Sequence, residues 1–188
     1  MTPLASLWLP ILLSAVFIFI ASTLLHTVIP WHHGDFVKLP DESGFRSAVG
    51  SMNIPPGDYM IPGPPANMAE VKSPEYAEKR SQGPVMLITA MERGIQSMTP
   101  MFVQWMIYLL IVSTAAACIA SRIFPPGTPH ENIWHYTGYP AFLAYSMALP
   151  QAAIWYHRKW SSTIKSMIDG AIYAVITALT FGWLWPQV

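Results

Sequence analysis

The sequence predicts an all-α membrane protein. It has four transmembrane helices and a partly structured loop over residues 31–99, between the first two. Three observations predict this. Four windows, Met1–Gly34, Gly94–Ser121, Asn132–His157 and Gly170–Val188, contain no Asp, Glu, Lys or Arg. Each is close to the length of a bilayer-crossing helix, roughly 20 residues at about 1.5 Å per residue. The chain is 53% hydrophobic and 11% charged, against about 25% charged in a soluble domain. Its tryptophans fall into two groups, Trp8, Trp134, Trp183 and Trp185 against Trp31, Trp105, Trp155 and Trp160. Two aromatic belts are what anchoring at two membrane interfaces produces.

The spans are placed at residues 4–29, 100–124, 129–156 and 163–185. No Lys or Arg precedes the apolar run Leu4–Ile29, and the run is too long for a cleaved signal segment, so it is expected to be a retained span. Thr99-Pro100 opens the second span, and Pro125-Pro126-Gly127 ends it. Thr128-Pro129-His130-Glu131 has the form of a capping box with proline at the first helical position. Ser161 or Ser162 is the expected cap of the fourth span. Pro10 and Pro150 lie inside spans and are expected to kink them. Gln151, beside the second kink, could line a cavity.

Orientation follows from the basic residues. Lys38, Arg46, Lys72, Lys79, Arg80 and Arg93 lie between spans one and two, and Arg158, Lys159 and Lys165 near the turn between spans three and four. The other side holds only Arg122. Nine against one puts the long loop in the cytoplasm and both termini outside. Within the loop, residues 41–49 and 73–83 carry helix signals. Residues 85–91 read as a strand, with residues 58–61 as its partner. The loop is therefore read as a subdomain of the single membrane domain, residues 1–188.

Gly170, Ala174, Ala178 and Gly182 repeat every four residues along span four. Ala144, Ala148 and Ala152 do the same on span three. Small residues at this spacing let membrane helices approach closely, so spans three and four are expected to pack on these faces.

The residues suited to chemistry cluster at the cytoplasmic side. His26, His32, His33 and Asp35 surround the end of span one, His157 ends span three, and Asp169 lies near the start of span four. Histidine and carboxylate ligate transition metals, and two histidines on different spans can hold a haem. Interfacial histidines without a ligand are the plainer reading, and His32 and His33 are adjacent, so regular structure would point them apart. Asp169 reads as a relay carboxylate, because an ionisable group within a membrane is costly. It also reads as a charge near a helix N-terminus paired with Lys165. The loop methionines Met52, Met60, Met68, Met86, Met91 and Met98 are suited to Cu(I) but irregularly spaced, so packing is preferred.

The chain has no phosphate-binding glycine loop, nucleophile elbow, HExxH, CxxC or dinucleotide fingerprint. Net charge is zero and the single cysteine is Cys118. Nucleic acid is not an expected partner, and no enzyme class is indicated.

Several short segments together carry a resemblance. They are Trp31-His32-His33-Gly34-Asp35, Lys38-Leu39-Pro40, Ile54-Pro55-Pro56-Gly57-Asp58-Tyr59, Ser73-Pro74-Glu75, Gly83-Pro84-Val85, Thr163-Ile164-Lys165, Asp169-Gly170 and Phe181-Gly182-Trp183-Leu184-Trp185-Pro186. The chain resembles an uncharacterised family of small four-span bacterial inner-membrane proteins. The resemblance implies a bacterial inner-membrane location and no activity. The leading functional expectation is a non-catalytic accessory or structural subunit of a larger membrane complex, respiratory or photosynthetic. Its partners would be the bilayer and other membrane subunits, or further copies of itself. The alternatives are a haem- or metal-binding membrane protein using the interfacial histidines, and a small oligomeric transporter or channel.

Overall fold

A computed structural model describes residues 1–188. They form two compact units, one of residues 1–37 and 97–188 and one of residues 38–96. In chain order, a 3-10 turn at Leu4–Leu7 leads into α1 (Trp8–Thr27), and a second 3-10 turn covers Pro30–His32. Then come α2 (Glu42–Gly50), β1 (Gly57–Ile61), α3 (Met68–Val71), α4 (Pro74–Gln82), β2 (Met86–Ala90) and α5 (Thr99–Ile123). α6 (His130–Phe142) passes through a π-helical turn at Leu143–Met147, α7 (Pro150–Tyr156) follows, and α8 (Trp160–Leu184) is last.

Three helices are long and apolar enough to cross a membrane: Leu4–Thr27, Thr99–Ile123 and Trp160–Leu184. Their polarity is arranged for lipid. Ile164, Ile168, Ile172, Val175 and Leu179 of α8 are exposed, while Gly170, Ala174, Thr177 and Gly182 are buried. Burying large aliphatic side chains gains nothing against a lipid solvent, so helices associate through close backbone approach and hydrogen bonds. Between α1 and α5, Ser14 Oγ and Ser113 Oγ lie 2.7 Å apart, fully buried. Such a bond contributes on average about 0.6 kcal/mol. Buried Thr137 and Thr177 return their hydroxyls to carbonyls of their own helices, Ile133 O and Tyr173 O. At one end the chain closes on itself. Thr2 Oγ1 donates to Phe124 O, Gly127 N to Pro186 O and Trp185 Nε1 to Pro125 O. Trp185 is thereby buried inside the bundle, although its position in the sequence suggests an interfacial belt.

The small face of α8 meets α6 and the π turn. A Cβ on Gly138 would lie 3.1 Å from Ala178 Cβ. A Cβ on Gly170 would collide with Ser146 Oγ and lie 2.9 Å from Tyr145 O, and one on Gly182 would collide with the Trp134 ring. Ser146 Oγ donates to Met167 O across the same contact. On the other side, Ala144 and Ala148 are exposed and Ala152 is half-buried, whereas Ala153 is buried. The π turn explains the shift. It inserts one residue into the helical period and rotates every later side chain by about 100°. The interruption falls between Pro140 in α6 and Pro150 at the first turn of α7. It leaves residues 130–156 as a broken helical path rather than one rod, and Gln151 is exposed.

Several helix starts differ from the sequence expectation. Thr128 does not cap α6; its hydroxyl donates to Pro125 O. α8 starts at Trp160, with Lys159 in the cap position and no side-chain cap. In the unit of residues 38–96, the caps are side chains: Asp41 accepts from Gly44 N, Asn67 from Ala69 N and Glu70 N, and Ser73 from Tyr76 N. β1 and β2 pair antiparallel, with Tyr59 opposite Ile88 and Ile61 opposite Met86.

Gly170→Leu should destabilise the bundle by about 1–3 kcal/mol through overpacking, while Ala148→Leu on an exposed face should leave the melting temperature nearly unchanged. Thermal unfolding in detergent compares the two.

Candidate functional site

Asp169 is the tenth residue of α8, well inside the helix, so its carboxylate is not at the helix N-terminus. The residue is 3% exposed. Lys165 is not its partner. Two histidines are: His32 Nε2 lies 2.7 Å and His26 Nε2 4.0 Å from Asp169 Oδ2. The imidazoles of His26 and His32 stack with centroids 4.4 Å apart and an angle of 29°. α1 supplies His26 from its last turn. The 3-10 turn Pro30–His32, opened by Pro30 at its first position, folds the chain back to bring His32 over the end of α8.

A second layer fixes His32. Its Nδ1 donates to Asp35 Oδ2 at 2.6 Å, while Asp35 Oδ1 accepts from Lys165 Nζ and Ser162 Oγ, both at 3.0 Å. The Lys165 ammonium is 6.0 Å from the centroid of the Trp31 ring. The bond from His32, together with Lys165 and Ser162, lowers the pKa of Asp35 to about 2. Its ionised form therefore contributes stability above the ordinary carboxylate range, and this is lost only as pH falls through about 2.

With Nδ1 bonded to Asp35, the other ring nitrogen of His32 lies 2.7 Å from Asp169 Oδ2, a hydrogen-bond distance. An ion ligated by both atoms at about 2.0–2.2 Å each would move them slightly apart. His26, His32 and Asp169 each offer a donor atom, and these atoms all lie within 4.8 Å of one another. Asp169 Oδ1 is buried with no hydrogen-bond partner within the chain.

Two cavities adjoin this cluster. One, of about 440 Å³, includes His26, His32, Asp35, Arg158, Lys159 and Ser162 in its walls. The other, of about 670 Å³, is walled mostly by aromatic and apolar side chains and reaches Asp169. His26, Leu149 and Ser166 belong to both walls.

The remaining sequence candidates lie elsewhere. His33 is exposed beside the cluster, because its neighbour His32 takes the inward position. His157 is exposed in a left-handed conformation, φ 54°, where it ends α7. His130 and His135 bond main-chain carbonyls, of Gly182 and Glu131. Sequence reasoning missed Tyr145 and Tyr173, whose hydroxyls are buried without partners. Two tyrosines in otherwise apolar windows are the only sequence signal for them. Comparison with protein-family models, curated proteins and solved structures finds no match to this chain.

His32→Ala should cost about 3–5 kcal/mol, because it strands a buried carboxylate. Asp169→Asn in the His32→Ala background should recover part of that loss, and a double-mutant cycle of unfolding free energies measures the coupling. Additive effects would show that the two side chains do not support each other.

Proposed function

We propose that this is a multi-pass membrane protein that holds a divalent transition-metal ion through His26, His32 and Asp169. The observation that carries this reading is the convergence of donor atoms from His26, His32 and Asp169 within 4.8 Å of one another, with Asp35 holding the opposite ring nitrogen of His32. Metal-ligating histidines characteristically donate their other N–H to a carboxylate, which fixes the ring and raises its basicity. Two imidazoles and one carboxylate are a familiar donor set for zinc or non-haem iron, with positions left for a further ligand. A cavity of about 440 Å³ that includes Asp35, Ser162 and Ser166 in its walls adjoins the cluster. A haem held by two histidines has less support, because the two rings stack on each other rather than facing across a cofactor.

The accessory-subunit reading rests on small size and the lack of catalytic motifs. The cluster supports the metal reading more directly.

The path of residues 130–156 supports a fourth crossing. It lies along α8 from the Trp134–Gly182 contact to the Ser146–Met167 hydrogen bond. Residues 132–157 also carry no formal charge. With the basic residues on the loop side, the proposed location is a bacterial inner membrane, with the loop and metal cluster at the cytoplasmic face.

Purified protein loaded with Co(II) or Zn(II) should bind one ion per chain. His32→Ala and Asp169→Asn should each weaken binding by at least tenfold, and Asp35→Asn by about 10–100-fold. Metal analysis and the visible spectrum of the Co(II) form decide this, and wild-type protein binding no stoichiometric ion would remove the proposal. Single cysteines in a Cys118→Ser background test the crossings. Glu131→Cys and Ser161→Cys should react with an impermeant reagent from opposite sides of sealed vesicles. Labelling from the same side would exclude the fourth span.

A further inference from the structure

Tyr145, Tyr173 and Asp169 share a feature that the metal reading leaves unused. They are 7%, 4% and 3% exposed, and the two hydroxyls and Asp169 Oδ1 have no hydrogen-bond partner within the chain. All three residues form part of the wall of the same 670 Å³ cavity. A buried polar group without a partner has lost its hydration and gained nothing in return. Three around one cavity of ligand size mark a place prepared for something that bonds to them.

The walls define its chemistry. Trp105, Tyr108, Tyr145 and Tyr173 form a continuous aromatic box. Trp105 stacks on Tyr108 at 5.6 Å, and Tyr145 meets Tyr173 edge-on at 5.6 Å. Such faces and edges receive a planar ring. No lysine or arginine reaches this cavity, and a carboxylate does, so a lipid phosphate is disfavoured. Phe102, Tyr108, Ala144 and Ala148 on its rim are exposed on the side of the bundle. That side faces lipid if the helices cross, so the occupant would enter from the bilayer.

We propose that this cavity binds the ring of a lipid-soluble quinone or quinol through the hydroxyls of Tyr145 and Tyr173 and through Asp169 Oδ1. The tyrosine hydroxyls donate to the carbonyl oxygens of the quinone, and Asp169 accepts from a hydroxyl of the quinol. The ring lies in the aromatic box, and its tail leaves past Ala144 and Ala148 into lipid. The proposal goes beyond the metal reading and stands on different atoms.

The test uses the full chain in phosphatidylcholine nanodiscs. It is titrated with a decyl-tailed benzoquinone and, separately, with its quinol, while tryptophan fluorescence is recorded. Binding should be saturable at one ligand per chain. Tyr145→Phe and Tyr173→Phe should each weaken it about tenfold, the equivalent of one hydrogen bond. Neither variant should lower the melting temperature, because each removes a hydroxyl that has no partner in the chain. Decylbenzene, which has the tail and a ring but no oxygen, should not compete. Non-saturating quenching, unchanged affinity in both tyrosine variants, or equal competition by decylbenzene would each overturn the proposal. Co(II) loading of the same variants should be unchanged, so that failure at the cavity and failure at the metal cluster are read separately.

Discussion

A carboxylate buried halfway into an apolar helix has to be matched, and the matching of Asp169 shapes one end of this protein. Leaving it alone in a low-dielectric surrounding would cost several kcal/mol. The partner comes from 137 positions away in the chain: His32, carried back over α8 by the turn after α1. Asp35 then orients His32, and Lys165 and Ser162 hold Asp35. The network thus joins the end of α1 to the first three turns of α8. It also fixes the histidine ring from both sides, which is the rigidity a ligand site needs.

The bundle body follows a different rule. In lipid, the inside of a helix pair is where small and hydroxyl-bearing side chains belong, and large aliphatic ones face out. Gly170, Gly182 and Gly138 let α8 and α6 approach until side chains such as Ser146 and Trp134 fill the space a Cβ would take. The π turn gives up helical regularity to keep this contact. It turns Tyr145 and Ser146 inward together and leaves Ala144 and Ala148 on the outer surface. The same turn puts Tyr145 in the wall of the aromatic cavity. Packing and cavity therefore come from one local distortion.

Much of this was legible in the sequence because it depends on local pattern. The charge-free windows mark three helices able to cross a membrane. Short apolar runs bounded by Pro/Gly turns mark the two strands that pair, Gly57–Ile61 with Met86–Ala90. The four-residue spacing of small residues in α8 identifies the side that is buried. Where regularity breaks, the pattern misleads. Ala144, Ala148 and Ala152 have the same spacing, but the π turn rotates the chain between them and the face they would have formed. Serine after a span turn looks like a cap, yet Ser162 is taken by Asp35.

By itself the sequence determined which segments are apolar enough for a membrane, which residues could ligate, and at which end of the bundle they gather. These depend on composition and on periods of a few residues, which sequence displays directly. Only the tertiary structure decided that His32 and not Lys165 answers Asp169, that His26 stacks beside it, and that His33 and His157 stay outside. Only it brought Tyr145 and Tyr173 to one cavity. The physical reason is that these pairings are set by chain return and by rotation about helix axes. A single turn at Pro30 or one extra residue in a π turn changes them, while leaving the hydropathy pattern as it was.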